Sequence, residues 1–192
     1  MKKAVSLFIL VFIALGLEAQ TLSWDIKFLK GRPGESIPIN QVIRMESGEN
    51  FQVYINPASD CFCYVVCYDS ERQIAVHYNG PLKGGIEKYI GNFAIDDQFK
   101  TETLYIIMSL ARRPTLENLI RNYINNQKSR QHANNLFREV SRLQNEASSL
   151  GEPSSVFIPT GGTTRSGTSK SEAYSTRFSD KNLYVRPITI RH

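Results

Sequence analysis

The fold is set by eight consecutive residues, Cys61-Phe62-Cys63-Tyr64-Val65-Val66-Cys67-Tyr68. They are apolar or aromatic, and valine and aromatic side chains favour β-strands. Because successive side chains of a strand point to opposite faces, the odd-numbered residues (Cys61, Cys63, Val65 and Cys67) share one face and the even-numbered residues share the other. Both faces are apolar, which predicts a central strand.

Other short strands are predicted around this one, separated by turn residues. Between Ser23 and Leu110 the predicted strands are 24–29, 51–55, 61–68, 74–78 and 104–110. Residues 69–72 have the composition of a hairpin loop, and Asn79-Gly80-Pro81 is expected to end the return strand 74–78. This spacing of strands and turns is typical of a sandwich or barrel, and we expect a mainly β protein built as an antiparallel β-sandwich.

The apolar pattern changes at Pro114 from a period of two to a period of about 3.6, which indicates helix. Apolar residues line one face of a first helix at Leu116, Leu119, Ile120, Tyr123 and Ile124, and one face of a second at Ala133, Leu136, Phe137, Val140, Leu143 and Ala147. Residues 125–129 are the expected break, and a single helix over 115–149 is the alternative. We therefore expect a two-helix excursion over about 115–149, inserted before the last strand.

The C-terminal part is expected to return to the sheet. Residues 159–179 are rich in Gly, Ser and Thr, which predicts a flexible loop. Residues 183–190 alternate like a strand, and Pro187 indicates an edge position or a bulge because proline has no N–H to donate. Residues 20–192 are then expected to form a single β-sandwich-like domain that includes the helices.

Residues 1–19 have the three parts of a secretory signal peptide. Two lysines precede an apolar run from Ala4 to Leu17, and the small residue Ala19 provides a cleavage site. The apolar run is shorter than the roughly 20 residues that a membrane-spanning helix needs. A retained anchor is the alternative; we expect cleavage near Ala19 and release to the periplasm or the extracellular space, with no transmembrane segment left.

The positive charge of the chain is modest. The formal charge of +5 falls to +4 when residues 1–19, with their two lysines and one glutamate, are removed. A surplus of this size supports solubility but does not predict a nucleic-acid partner. Arg112, Arg113, Lys128 and Arg130 give the helical region a basic tilt that suits anionic lipid or glycan, although charge on a solvated helix face is the common case.

Cys61, Cys63 and Cys67 form the candidate metal or redox cluster, with His77 as a candidate fourth ligand. Thiolate and imidazole ligands suit zinc or copper. Strand residues two apart are about 7 Å apart at the backbone, whereas a metal site brings its ligands together. Small buried side chains in the core are therefore the favoured interpretation, and no metal or other cofactor is expected.

No set of residues predicts catalysis. The histidines are scattered over a strand, a helix and the terminus, at His77, His132 and His192. Asp96-Asp97 could suggest acid–base chemistry or calcium, but adjacent acidic residues more often mark a turn. Gly162 and Gly167 have the separation of the glycines in a phosphate loop, but Thr168 stands where the lysine is required.

Two segments, Ser47-Gly48-Glu49-Asn50-Phe51-Gln52-Val53-Tyr54-Ile55-Asn56-Pro57 and Asp60-Cys61-Phe62-Cys63-Tyr64-Val65-Val66, resemble a family of exported bacterial proteins, the domain of unknown function 4384. Residues 69–79 are similar to that family's hairpin, and residues 101–109 to its closing strand. The family commonly has a Phe-Pro step where this chain has His77-Tyr78-Asn79. The resemblance implies a β-sandwich accessory module of cell-envelope or secreted proteins and carries no catalytic residues.

These features predict a noncatalytic module that binds an envelope protein or a surface glycan through its loops and the helical excursion. The alternative is a metal-binding or redox protein that uses Cys61, Cys63, Cys67 and His77. Metal content and the effect of replacing all three cysteines by serine separate the two hypotheses.

Overall fold

The computed structural model describes residues 21–31, 35–37, 39, 42–69, 71, 73–94, 101–126, 129–148, 154–160 and 173–191. The expected signal peptide over residues 1–19 lies outside these ranges. So do residues 161–172, which form the middle of the predicted loop over 159–179.

Eleven strands and two helices are present in the described part of the chain. The strands are β1 (Leu22–Lys30), β2 (Glu35–Ser36), β3 (Ile43–Arg44), β4 (Asn50–Pro57), β5 (Cys61–Asp69), β6 (Ile74–Leu82), β7 (Lys88–Ala94), β8 (Thr101–Ser109), β9 (Ser154–Thr160), β10 (Ala173–Asp180) and β11 (Leu183–Arg191). The helices are α1 (Pro114–Asn125) and α2 (Arg130–Ser148). Asn126 has a non-helical backbone and closes α1, so the excursion is two helices, as the break at 125–129 predicts.

The strands form two sheets. Sheet 1 has the order β7-β4-β1-β10-β9, with β2 paired to β1, and sheet 2 has the order β3-β11-β8-β5-β6. All pairs are antiparallel except the short β3–β11 pair. The prediction of a mainly β sandwich with a two-helix insertion is confirmed, although three described strands, β9, β10 and β11, follow the helices where one was predicted.

The two sheets face each other across the main core. The predicted odd-numbered face of β5 contributes Cys61, Cys63, Val65 and Cys67 to this core. From sheet 1, Trp24 meets Phe178 at a ring distance of 5.7 Å and Tyr184 of sheet 2 at 4.5 Å. Burial of this apolar surface is the dominant favourable term in folding.

The other face of sheet 2 is covered by α1 and α2, which we call the helical layer. Tyr64 and Val66 of β5 are buried there, with Ile107 of β8 and Leu183 and Val185 of β11. The helices bury their apolar stripes against them through Leu116, Ile120, Leu136, Val140 and Leu143. Sheet 2 therefore lies in the middle of three layers, and β5 has a paired strand on each side, as its two apolar faces predict.

Two tyrosine hydroxyls fix the helical layer to sheet 2. The hydroxyl of Tyr64 donates to Glu117 Oε1 at 3.0 Å and accepts the N–H of Arg113 at 3.0 Å, where α1 begins. The hydroxyl of Tyr123 donates to the carbonyl of Ile74 at 2.6 Å and accepts its N–H at 3.3 Å. In this way Tyr123 satisfies backbone groups on β6 that no neighbouring strand pairs in the described residues.

The return strand is longer than its turn residues predict. β6 continues through Asn79-Gly80-Pro81 to Leu82, and Pro81 is paired with Phe62 of β5. Because β6 is the last described strand of sheet 2, the missing N–H of Pro81 interrupts no interior ladder. The prediction that this tripeptide ends the strand is wrong.

The predicted loop over 159–179 is wrong at both ends. β9 reaches Thr160, and β10 occupies 173–180 as a hairpin partner of β9 inside sheet 1. The serine and threonine residues of this segment indicated a loop. The segment is nevertheless a strand, and its Phe178 is 3% exposed and packs on Trp24. β7 was also not predicted, because Lys88, Gly91 and Asn92 break up its apolar pattern.

The C-terminal strand returns to the sheet as predicted. β11 pairs with β8 along its whole length, from Leu183 to Arg191. On its other side β3 pairs only with Ile190 and Arg191. Pro187 therefore lies where β11 has no second described neighbour, which agrees with the predicted edge position.

We expect the substitution Tyr64→Phe to lower the free energy of unfolding by about 1–3 kcal/mol, because Arg113 N–H and Glu117 lose a buried hydrogen-bond partner. The matched control is Tyr54→Phe, whose hydroxyl donates to Gln52 on the outer face of sheet 1. Its expected effect is below about 0.5 kcal/mol. Urea unfolding followed by circular dichroism measures both, and equal small losses would contradict the anchoring role of Tyr64.

Candidate functional site

The three cysteines are core residues on the face of β5 that points to sheet 1. Cys61, Cys63 and Cys67 are 3%, 0% and 7% exposed, and all three are free thiols. They follow one another along a single strand, where β8 places Met108 beside Cys63 and Leu104 beside Cys67. Within the described residues, no group of three or more His, Cys, Asp and Glu side chains is arranged to hold a metal ion.

The environment of the thiols keeps them protonated at neutral pH. Burial raises the pKa of Cys61 to about 11 and raises the pKa of Cys63 well above its ordinary value. Burial, with the neighbouring Glu102 carboxylate, also raises the pKa of Cys67. Since the thiolate is the nucleophile and the metal ligand, these surroundings favour a packing role.

His77 does not join the cysteines as a fourth ligand of one cluster. It lies at the irregular position of the β5–β6 pairing, where Val65 faces Tyr78 and Val66 faces Val76. The residue is exposed at the edge strand, but its ring rests on Phe93 at 4.3 Å. The resulting desolvation lowers the pKa of His77, so its imidazole is neutral at pH 7.

Cys67 and His77 line one open cleft between the edges of the two sheets, with a volume of about 310 Å³. Its walls come from β5, β6, β7 and β8, and include Asp69, Asn92 and Glu102. The thiol of Cys67 donates to Glu102 Oε2 at 3.6 Å. A protonated thiol held by a carboxylate lacks the activated form that nucleophilic catalysis needs.

Among the remaining residues considered as catalytic candidates, His132 is the one within the described part of the chain. His132 lies on α2, far along the chain from His77 on β6. The others fall outside the described residues: Asp96, Asp97, Gly162, Gly167, Thr168 and His192.

The outward side of the helical layer is polar. Its exposed polar positions include Asn118, Arg121, Asn122 and Asn125 on α1, and Arg130, Gln131, Asn134, Arg138, Arg142 and Asn145 on α2; Ile124 is exposed as well. In the described residues, α1 and α2 both lack the length and apolar composition that a membrane-spanning helix needs. Guanidinium and amide groups predominate on this face, and they bind polar ligands by hydrogen bonds.

The acidic residues of the helical layer are used in internal ion pairs. Glu117 pairs with Arg112, whose guanidinium lowers the pKa of that carboxyl group. Glu146 pairs with Arg113 at 2.9 Å. Arg112 and Arg113, which gave the sequence its basic tilt, are therefore partly neutralised within the fold.

A further pair involves the third glutamate. Arg142 contacts Glu139 at 2.8 Å and Glu146 at 3.0 Å, and the side chain of Glu139 is only 9% exposed. By contrast, Arg121, Arg130 and Arg138 are exposed, and none forms an ion pair with another residue in the described part of the chain. The solvent-facing charge of the layer is thus positive.

Charge is distributed unevenly along the chain. Residues 112–148 contain seven arginine or lysine residues and three glutamates, a net charge of +4. The rest of residues 20–192 contains fourteen basic and fourteen acidic residues, a net charge of zero. The positive surplus of the chain after residue 19 therefore equals that of the helical region.

No protein-family model matches this chain, and no curated protein or solved structure is significantly similar to it. The resemblance to the domain of unknown function 4384 stays a prediction.

Sequence reasoning missed two features of these surfaces. Glu102 is a single charge among the apolar residues of β8, and this isolated charge could have indicated the cleft. Arg121 and Arg138 were not singled out, and their lack of an ion-pair partner within the described residues is known only from the structure. Counting charges by helix face would have found both arginines, but it would not have shown the pairing of Glu146 with the distant Arg113.

The substitution Cys63→Ala tests whether the buried thiol is a core group. In the unfolded chain a thiol ionises near pH 8.5, whereas the folded thiol stays protonated well above that pH. Its contribution to stability is therefore complete below pH 8.5 and falls by about 1.4 kcal/mol per pH unit above it, because the unfolded state gains by ionising.

We expect the wild type to lose stability more steeply than Cys63→Ala between pH 8.5 and pH 10. Urea unfolding at pH 7, 8.5 and 10 measures both slopes. Parallel losses in the two proteins would show that the folded thiol ionises as easily as the unfolded one, which would reopen a chemical role for it.

Proposed function

We propose that this protein is an exported, noncatalytic binding module of the bacterial cell envelope, and that its partner, a protein or a surface glycan, binds the outward side of the helical layer. The observation that carries the proposal is the difference in side-chain composition between the two sides of the layer. The inward side is apolar and buried on sheet 2, whereas the outward side is built of arginine and amide side chains.

The fold does not need the composition of that outward side. Covering sheet 2 requires the apolar stripe of Leu116, Ile120, Leu136, Val140 and Leu143. Exposed positions opposite a stripe accept most polar residues, and charged side chains of both signs are the usual choice. A face with amides and unpaired arginines is therefore free to serve recognition, which loops and inserted elements commonly provide on a β-sandwich.

The alternative function is a metal-binding or redox role, favoured by the placement of Cys67 and His77 in the same cleft. Protein prepared in metal-free buffer would then carry zinc or copper in stoichiometric amount. Replacement of all three cysteines by serine would remove the metal and leave the fold intact. Loss of folding without any bound metal supports the core role instead.

The proposal that the protein is exported depends on the predicted signal peptide at residues 1–19. We expect protein recovered from envelope and culture fractions to begin at or near Gln20, because cleavage follows the small residue Ala19. Intact-mass spectrometry of the recovered chain checks this. A mass that retains residues 1–19 would contradict cleavage and favour a retained anchor.

Site-specific photocrosslinking tests where the partner binds. Deleting residues 115–150 would uncover the buried face of sheet 2, so single exposed positions are better probes. We expect Asn134→p-benzoylphenylalanine, on the outward side of α2, to capture one reproducible protein or glycan in intact cells. Tyr89→p-benzoylphenylalanine is the matched control, because Tyr89 is 46% exposed on sheet 1.

Capture from position 89 and not from position 134 would place the partner on sheet 1 and overturn the assignment to the helical layer. Capture from neither position, at equal protein levels, would contradict the binding function at both surfaces. Analysis of the adduct by mass spectrometry and by glycan staining distinguishes a protein from a glycan.

A further inference from the structure

We infer that the partner of the helical layer is an anionic polysaccharide, bound through Arg121, Arg130 and Arg138. This inference rests on the proposed function and names the chemistry of its ligand. The three arginines are exposed on α1 and α2, and each is without an ion-pair partner in the described residues.

Charge complementarity is the first argument. The helical region has a net charge of +4, whereas the remainder of residues 20–192 is neutral. Its three carboxylates form ion pairs with Arg112, Arg113 and Arg142, and the charge of Arg121 acts on Glu117 without a direct ion pair between them. A polyanion approaching the protein is therefore attracted to this layer in preference to the two sheets.

The type of side chain is the second argument. Guanidinium groups bind carboxylate, sulfate and phosphate groups with two parallel hydrogen bonds, which lysine does not do. The same two helices also expose amide side chains, at Asn118, Asn122, Gln131, Asn134 and Asn145. Amides donate and accept hydrogen bonds, which matches the hydroxyl groups between the acidic groups of a sugar chain.

Other anionic partners fit the layer less well. A helix that lies on a membrane inserts an apolar face, but the apolar stripes here are buried on sheet 2, and Ile124 is the one large hydrophobic side chain exposed in the described parts of the two helices. Single-stranded nucleic acid stacks on aromatic side chains. The exposed positions of the described helices carry no aromatic residue.

The test measures binding of the chain from residue 20 to residue 192 to polygalacturonate, with dextran as the uncharged polysaccharide. We expect polygalacturonate to bind at 50 mM salt and dextran not to bind. The triple variant Arg121→Gln, Arg130→Gln, Arg138→Gln should bind polygalacturonate roughly tenfold or more weakly, because it loses three exposed positive charges of the helical layer.

The control is a second triple variant with the same net charge as the first. Arg44, Lys181 and Arg191 are exposed residues of the sandwich, and replacing all three by Gln removes three positive charges away from the helical layer. We expect this control to bind polygalacturonate within about twofold of the wild type, because contacts, rather than net charge, fix the site. Circular dichroism and the unfolding midpoint verify that both variants fold.

Two results would overturn the inference at this step. In the first, the wild type does not bind polygalacturonate at 50 mM salt; binding of phosphatidylglycerol vesicles instead would then indicate a lipid ligand. In the second, both triple variants lose affinity equally, which indicates nonspecific electrostatic attraction. The proposed function is judged separately by photocrosslinking, since capture of a protein from position 134 would preserve a binding module while excluding an anionic glycan.

Discussion

A sheet that is apolar on both faces has to be covered twice, and this requirement governs the structure. In β5 the odd-numbered face packs against sheet 1 and the even-numbered face packs against the helical layer. Neither cover alone removes both faces from water, so the sandwich and the helices depend on the same strand. Burying both apolar faces of the strand removes more apolar area from water than burying one face, and so it stabilises the fold more.

Tyr64 gives this double cover its geometry. Its ring is buried beneath α1, and its hydroxyl joins the N–H of Arg113, the residue before α1, to Glu117, which in turn pairs with Arg112. A hydrophobic layer by itself is non-directional, whereas these hydrogen bonds specify where α1 starts. The same network engages the Glu117 carboxylate, and so it links the anchoring of the layer to the charge of its outward side.

Prediction from sequence succeeded where one period dominates a segment. The alternation in residues 61–68 and the 3.6 period after Pro114 follow from burial of one face, and both elements formed. It failed where tertiary pairing overrides local composition: Pro81 is tolerated because β6 is an edge, and serine-rich β10 is a strand because Phe178 packs on Trp24. The cleft joins residues of four strands, and the Arg113–Glu146 pair joins residues 33 positions apart, so neither follows from a local pattern. The pairs of Arg142 with Glu139 and Glu146, by contrast, have ordinary helical spacing and are readable from the sequence.

The helical layer is an integral part of the core, and its outward side is the part left available for binding. Amide hydrogen exchange in the native state measures whether the helices and the sheet open together. We expect the amides on the sides of α1 and α2 that face sheet 2 to exchange with the same free energy of opening as those of β5 and β8, because all four elements share one core. Helix amides that exchange several kcal/mol more easily while β5 and β8 stay protected would contradict it.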